Sequence, residues 1–122
     1  PLVGGVLGAA MLASVPSFAA DDAGAGAKLF RQRCAACHAV APGAPSGIGP
    51  NLAGVVGRPA ASVPGYRYSR ALSEAKPLWS AEALDRYLEA PIRMVPGTRK
   101  TTSVPDAGQR AALIAYLAGL KE

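Results

Sequence analysis

Residues 34–38 read Cys-Ala-Ala-Cys-His, two thiols three residues apart followed at once by the only histidine of the chain. Covalent attachment of a c-type haem uses this spacing. Each thiol adds to one vinyl group of the haem, and the next imidazole then lies beneath the ring to ligate iron. Rival chemistries need context that the chain lacks. A disulfide across two intervening residues is short and strained. A thioredoxin-like pair belongs in a βαβ unit. A structural zinc site takes four Cys or His ligands, and the chain has two cysteines and one histidine.

A second group able to bind metal stands at residues 94–100, Met-Val-Pro-Gly-Thr-Arg-Lys. It offers a thioether at one end and an amine at the other. Each can also be an ordinary loop side chain, so their meaning depends on the fold around them.

The elements that must position these groups are helical. Asp21 or Asp22 can cap a first helix to about Arg33, with Gly26, Leu29 and Phe30 on one face. Residues 39–68 are rich in Gly and Pro and carry no period. A loop of that length in a small domain needs something to wrap. Ser69 can cap a short helix to about Ala75, and Ser80 another with Leu84, Tyr87 and Leu88 at helical spacing, ending before Pro91. A second loop covers 91–104. Asp106 with Gln109 has the form of a capping box for a last helix striped by Leu113, Leu117 and Leu120. No strand alternation or repeat is present, so the expected class is all-α.

Length and charge set further bounds. At 122 residues the chain makes one domain. Residues 1–19 are uncharged and end in Ser17-Phe18-Ala19 before Asp21. They read as an export signal that lacks its basic start, with a working domain at 20–122 in the bacterial periplasm. No later apolar run can span a bilayer. The net charge of +5 favours acidic partners. Export and the scatter of Lys and Arg disfavour nucleic acid. Many of the apolar residues are Ala, so the core is modest and gains from a large group to pack around.

From about Gly24 onward the chain resembles the class I cytochromes c, of the mitochondrial and bacterial cytochrome c2 type. The resemblance rests on CAACH, on GIGPNLAGVVGR at 47–58, PGYRYSRAL at 64–72 and the lone Trp79, and on LDRYLEAP at 84–91, VPGT at 95–98 and ALIAYL at 112–117. It implies a cytochrome c fold, with the first and last helices packed together and loops wrapped around one haem c that shuttles single electrons. Position by position, it implies that the Pro50 carbonyl accepts the His38 ring N–H. Arg58, Tyr66, Tyr68 and Trp79 would hold the haem propionates. Leu52, Leu88 and Leu117 would pack on the haem, with Tyr87 and Thr98 also in its pocket. Gly26 and Phe30 would meet Leu113 and Tyr116 where the two end helices cross.

One loop departs from the pattern. Members of the family usually close the second loop with Pro-Gly-x-x-Met, whose sulfur is the second axial iron ligand. Here the loop reads Pro96-Gly97-Thr98-Arg99-Lys100, with lysine at the ligand position. Three sixth ligands stay open: Lys100, Met94, or a weak ligand such as water. Met94 requires the loop to thread differently around Pro96. Lys100 already points at iron on a family-like backbone, but its amine must lose a proton. From a pKa of about 10.4 that costs roughly 4.6 kcal/mol at pH 7, part of which burial offsets. Lys100 is the preferred candidate.

The expected function is an exported, monomeric electron carrier rather than an enzyme. It would dock by charge on acidic redox partners such as membrane-bound oxidoreductases, through a rim including Lys28, Arg31, Arg93 and Arg99. A haem-based small-ligand binder or weak peroxidase is the alternative, because the missing methionine can leave a labile sixth site.

Overall fold

The computed structural model describes residues 3–5, 8 and 18–121. Most of the segment read as an export signal, Met11 included, lies outside the described residues. Five helices follow in order among these described residues: α1 Phe18–Arg33, α2 Arg70–Ala75, α3 Ala81–Glu89, α4 Pro91–Met94 and α5 Ala107–Ala118. Among the described residues there is no strand, only an isolated antiparallel bridge between Pro59 and Leu78. The all-α class holds.

The frame is the crossing of α1 and α5, and Gly26 permits it. A Cβ built on Gly26 would lie 1.9 Å from the Ala112 carbonyl oxygen and 2.8 Å from Tyr116 Cβ. No side chain fits between the two backbones there. One turn on, the Phe30 and Tyr116 rings meet at 5.3 Å. At its closest approach Gly26 faces Ala112 and Tyr116. Leu113, at 1% exposure, belongs to the central core with Phe30, Trp79, Leu84 and Leu117.

The caps follow the side-chain chemistry. Ser69 accepts the Leu72 N–H, Ser80 the Ala83 N–H and Asp106 the Gln109 N–H, each satisfying a donor that the first helical turn leaves free. Of the expected capping box only the Asp106 half forms. Lys76 takes a left-handed conformation (φ 38°) and closes α2 before Pro77. Pro91 both stops α3 and starts α4, since its fixed φ suits a first helical position. That short turn lies inside the expected second loop.

One feature differs from the sequence expectation. α1 begins at Phe18, ahead of the expected Asp21 or Asp22 cap. Ala19 and Ala20 are strong helix formers and carry the helix backward. A further feature is one that the sequence did not single out: Arg110 is 7% exposed. Its Nε donates to Asp85 at 2.7 Å, and its Nη1 donates to the Val104 and Pro105 carbonyls at 3.0 and 2.8 Å. One guanidinium thereby ties α5 to α3 and to the end of the second loop.

Candidate haem site

The Cys-Ala-Ala-Cys-His segment continues α1 as a further turn. The Cys34 and Ala35 N–H groups both donate to the Phe30 carbonyl, and those of Cys37 and His38 both donate to the Cys34 carbonyl. Residues three and four apart in such a turn share a face, so Cys37 and His38 follow Cys34 on one side. Both thiols are free and half-buried. Burial pushes the Cys34 thiol pKa up, while the nearby Lys100 charge opposes that rise.

His38 is held tightly at one nitrogen only. Its Nδ1 lies 2.8 Å from the Pro50 carbonyl oxygen, which must accept, so Nδ1 carries the proton and Nε2 a lone pair. No hydrogen bond to Nε2 is made among the described residues. The ring rests against bare backbone, because a Cβ on Gly49 would come within 2.4 Å of Cε1 and 2.8 Å of Nε2. Gly49 in turn donates its N–H to the Cys37 carbonyl at 2.8 Å. Burial lowers the His38 pKa, with the Pro50 bond opposing and Lys100 adding to the effect. The imidazole is therefore neutral at pH 7 and able to donate its lone pair.

These features fit a covalent haem. Two free thiols stand on one helical turn, beside an imidazole whose proton is committed on the far nitrogen and whose near nitrogen has no protein partner. That is the donor set of a c-type attachment site, with a backbone carbonyl behind the ligand to orient it.

The loops bring the expected pocket residues into two groups. Trp79 and Arg58 are joined through the backbone, by Trp79 N–H to the Arg58 carbonyl at 2.9 Å and Gly57 N–H to the Trp79 carbonyl at 2.7 Å. The Arg58 guanidinium donates to the Asn51 and Ala53 carbonyls. Tyr66 donates to the Ile48 carbonyl at 2.7 Å, while the Tyr68 oxygen accepts the Val63 N–H and so keeps its own proton to give. The Tyr66 and Tyr68 rings stand edge to face at 4.7 Å. The buried second group is Trp79 against Tyr87 at 4.9 Å, with the Tyr87 hydroxyl on Thr98 Oγ1. Leu88 and Leu117 are buried in the same core and Leu52 is packed against it. A surface cavity of about 620 Å³ is lined by residues 42–46, 51, 53–54, 58 and 62–64. It touches none of Cys34, Cys37, His38 or Lys100.

On the second loop, Lys100 is half-buried. Burial lowers its pKa, and Cys34 is the one group opposing that. The same amine acts electrostatically on both Cys34 and His38, so it lies on their side of the molecule. Its Nζ donates to the Thr102 carbonyl and, at 3.1 Å, to the Thr102 hydroxyl. Met94 ends α4 and lines a small hollow with Arg86, Glu89, Ala90 and Arg93. Sequence reasoning missed Gly49 and Arg110. The single glycine before Pro50 was a signal for the first.

Residues 23–121 match the cytochrome c family, and the chain belongs to that family. It is similar to a cytochrome c2 of Rhodomicrobium vannielii, with 40% identity over 93% of this chain and 90% of that one. A cytochrome c2 of Rhodoblastus acidophilus is also 40% identical, over 84% and 95% of the two chains. A cytochrome c of Euglena viridis is 41% identical over 83% and 99%. As a member of this family the chain carries one covalent haem c. None of the described helices is long and apolar enough to cross a membrane.

Proposed function

We propose that the protein is an exported carrier of single electrons, with no bond-making chemistry of its own. When bound, the haem supplies an iron that alternates between ferric and ferrous states. The protein's task is to hold that group dry, ligated and open at one edge. Cys34 and Cys37 fix it covalently and His38 Nε2 ligates from one side. The Pro50 carbonyl, drawing on the Nδ1 proton, raises the basicity of that nitrogen. Tyr68 and Trp79 have donors to give to the propionates, and Arg58 and Tyr66 frame the same edge. Leu52, Leu88, Leu117, Tyr87 and Thr98 exclude water.

Lys100 is the sixth ligand in this reading. The observation that carries the proposal is its half-buried amine, whose pKa burial lowers, on the side of Cys34 and His38. Loss of the proton costs less there than in water. Purified protein should keep its haem through acid-acetone extraction and should lack the weak far-red ferric band of sulfur ligation. A band present in the parent and erased by Met94→Leu would assign the ligand to Met94.

A second reading, a small-ligand binder or weak peroxidase, draws on the bonds from Lys100 to Thr102. They give the amine an alternative resting place. Rapid carbon monoxide binding to the reduced protein would favour it.

Docking follows from charge. Lys28, Arg31, Arg93 and Arg99 are all exposed, and the net charge is +5. Acidic faces of membrane-bound oxidoreductases are the partners that fit, met transiently by a monomer in the periplasm. Electron transfer to such a partner should slow as salt rises, since exposed charges are screened beyond about 8 Å at physiological ionic strength. A rate indifferent to salt would remove steering from the account.

A further inference from the structure

The ligand-bearing segment 99–103 is pinned at both ends and held by one further bond, made by its first residue. Ahead of it, Gly97 turns the chain with φ +92°. Thr98 is then buried, its Oγ1 on the Tyr87 hydroxyl and its N–H on the Val95 carbonyl at 3.0 Å. Behind it, the Val104 N–H donates to the Leu88 carbonyl at 2.8 Å, and Arg110 takes the Val104 and Pro105 carbonyls. Among the described residues, one hydrogen bond leaves the segment between these anchors. Arg99 Nη1 donates to the Arg67 carbonyl at 2.7 Å, across 32 residues of sequence. The bonds from Lys100 to Thr102 stay inside the segment and hold it to nothing else.

The acceptor is itself fixed. Tyr66 on one side of Arg67 is bound to the Ile48 carbonyl, Tyr68 on the other to the Val63 N–H, and Ser69 next to it caps α2. A carbonyl between two pinned tyrosines is a firm catch. The guanidinium that engages it belongs to the residue directly before Lys100.

We propose that Arg99 is a positioning residue, a latch that holds the 99–103 segment over the haem pocket and slows the swing that carries Lys100 away from iron. The proposal rests on the reading of Lys100 as sixth ligand. Lys100 can rest on Thr102 with the Arg99–Arg67 bond intact. For the whole segment to swing between the anchors at Thr98 and Val104 and open the pocket, that bond must stretch or break. The latch is exposed, so its loss should leave the packed core alone and change the rate of opening.

The test is stopped-flow binding of imidazole to ferric holoprotein at fixed pH and salt, in the parent, Arg99→Ala, Lys100→Ala and the double variant. Arg99→Ala should speed binding about fivefold, the size expected for one ordinary hydrogen bond, the donor's charge being screened at the surface. Arg99→Lys, which can still donate to the carbonyl, should recover most of the difference. Lys100→Ala should be faster than either, and adding Arg99→Ala to it should change nothing further, because the two act on one event. A parent-like rate in Arg99→Ala beside a fast Lys100→Ala overturns the latch and leaves Lys100 as ligand. A parent-like rate in Lys100→Ala instead overturns the ligand reading. A fivefold gain that persists in the double variant means that Arg99 gates entry without holding Lys100, and that also overturns the proposal.

Discussion

The two sides of the iron site are built on opposite plans. On the histidine side nearly every residue is tied down: Cys34, Ala35, Cys37 and His38 through their N–H groups, Gly49 to Cys37, and Leu52 to Ala39. The ring itself is held by Pro50 and by contact with Gly49. On the lysine side, among the described residues, a single exposed hydrogen bond holds the segment between Thr98 and Val104 to the rest of the chain. Under the proposed ligation, attachment and the first ligand are thereby fixed, while the second ligand is negotiable. A site that keeps its cofactor covalently can tolerate a loose ligand, since loss of that ligand does not lose the group.

The comparison is broken most severely from the rigid side. Gly49→Ala places a Cβ inside the His38 ring, 2.4 Å from Cε1. The ring or the 47–50 backbone must move, at about 3 kcal/mol by the usual cost of overpacking. Chemical denaturation of the holoprotein should show that loss together with an altered Soret band. An unchanged denaturation midpoint would mean that the histidine side is as yielding as the lysine side.

Changes on the loose side should alter properties with little loss of stability. Lys100→Met exchanges a hard amine for a soft thioether, which favours ferrous iron. The potential should rise by about 0.2 V within the range that axial ligands command, and the far-red sulfur band should appear. Redox titration with the ferric spectrum checks both.

Acid should produce a smaller, graded effect. Burial holds the folded Lys100 pKa below its ordinary value, so the folded chain binds fewer protons at this group than the unfolded chain. Its contribution to stability therefore rises with pH between the lowered value and the ordinary lysine value, and weakens as pH falls. Under the proposed ligation, protons in the holoprotein also compete with iron for the amine. Lowering the pH should convert the ferric spectrum reversibly to that of Lys100→Ala. A ferric spectrum constant through mild acid would remove the amine from the iron.

The smallest expected effect is that of Met94→Leu. Met94 lines a hollow with Arg86 and Arg93, so the spectrum should not change and stability should shift by less than about 1.5 kcal/mol, as for a volume-conserving swap. This control sharpens the contrast, because it separates the second loop's packing from its ligation.

Much of this plan was legible from residue types alone. Ser69, Ser80 and Asp106 cap helices for a local reason, and local chemistry can be read in one dimension. The Cys34–His38 spacing is likewise local, as is the break at Pro91. What escaped depends on groups distant in sequence. A buried Arg110 looks like any helix-surface charge until Asp85 and the Val104 and Pro105 carbonyls converge on it. The role of Gly49 requires knowing that the His38 ring lies against it. The backward extension of α1 to Phe18 escaped for another reason: the acidic pair was a more visible start signal than the alanines before it.

The short span between Thr98 and Val104 has one more consequence. If Lys100 is the sixth ligand, on leaving the iron it does not enter bulk solution, because five residues between two fixed anchors keep its amine near where it began. Rebinding is then intramolecular, at an effective concentration of at least about the millimolar level expected for short tethers. A dissolved ligand must outbid that local concentration as well as the bond itself. Scarce solutes of modest affinity will be turned away even while the site opens often, so the tether filters by abundance where a rigid ligand would filter by strength.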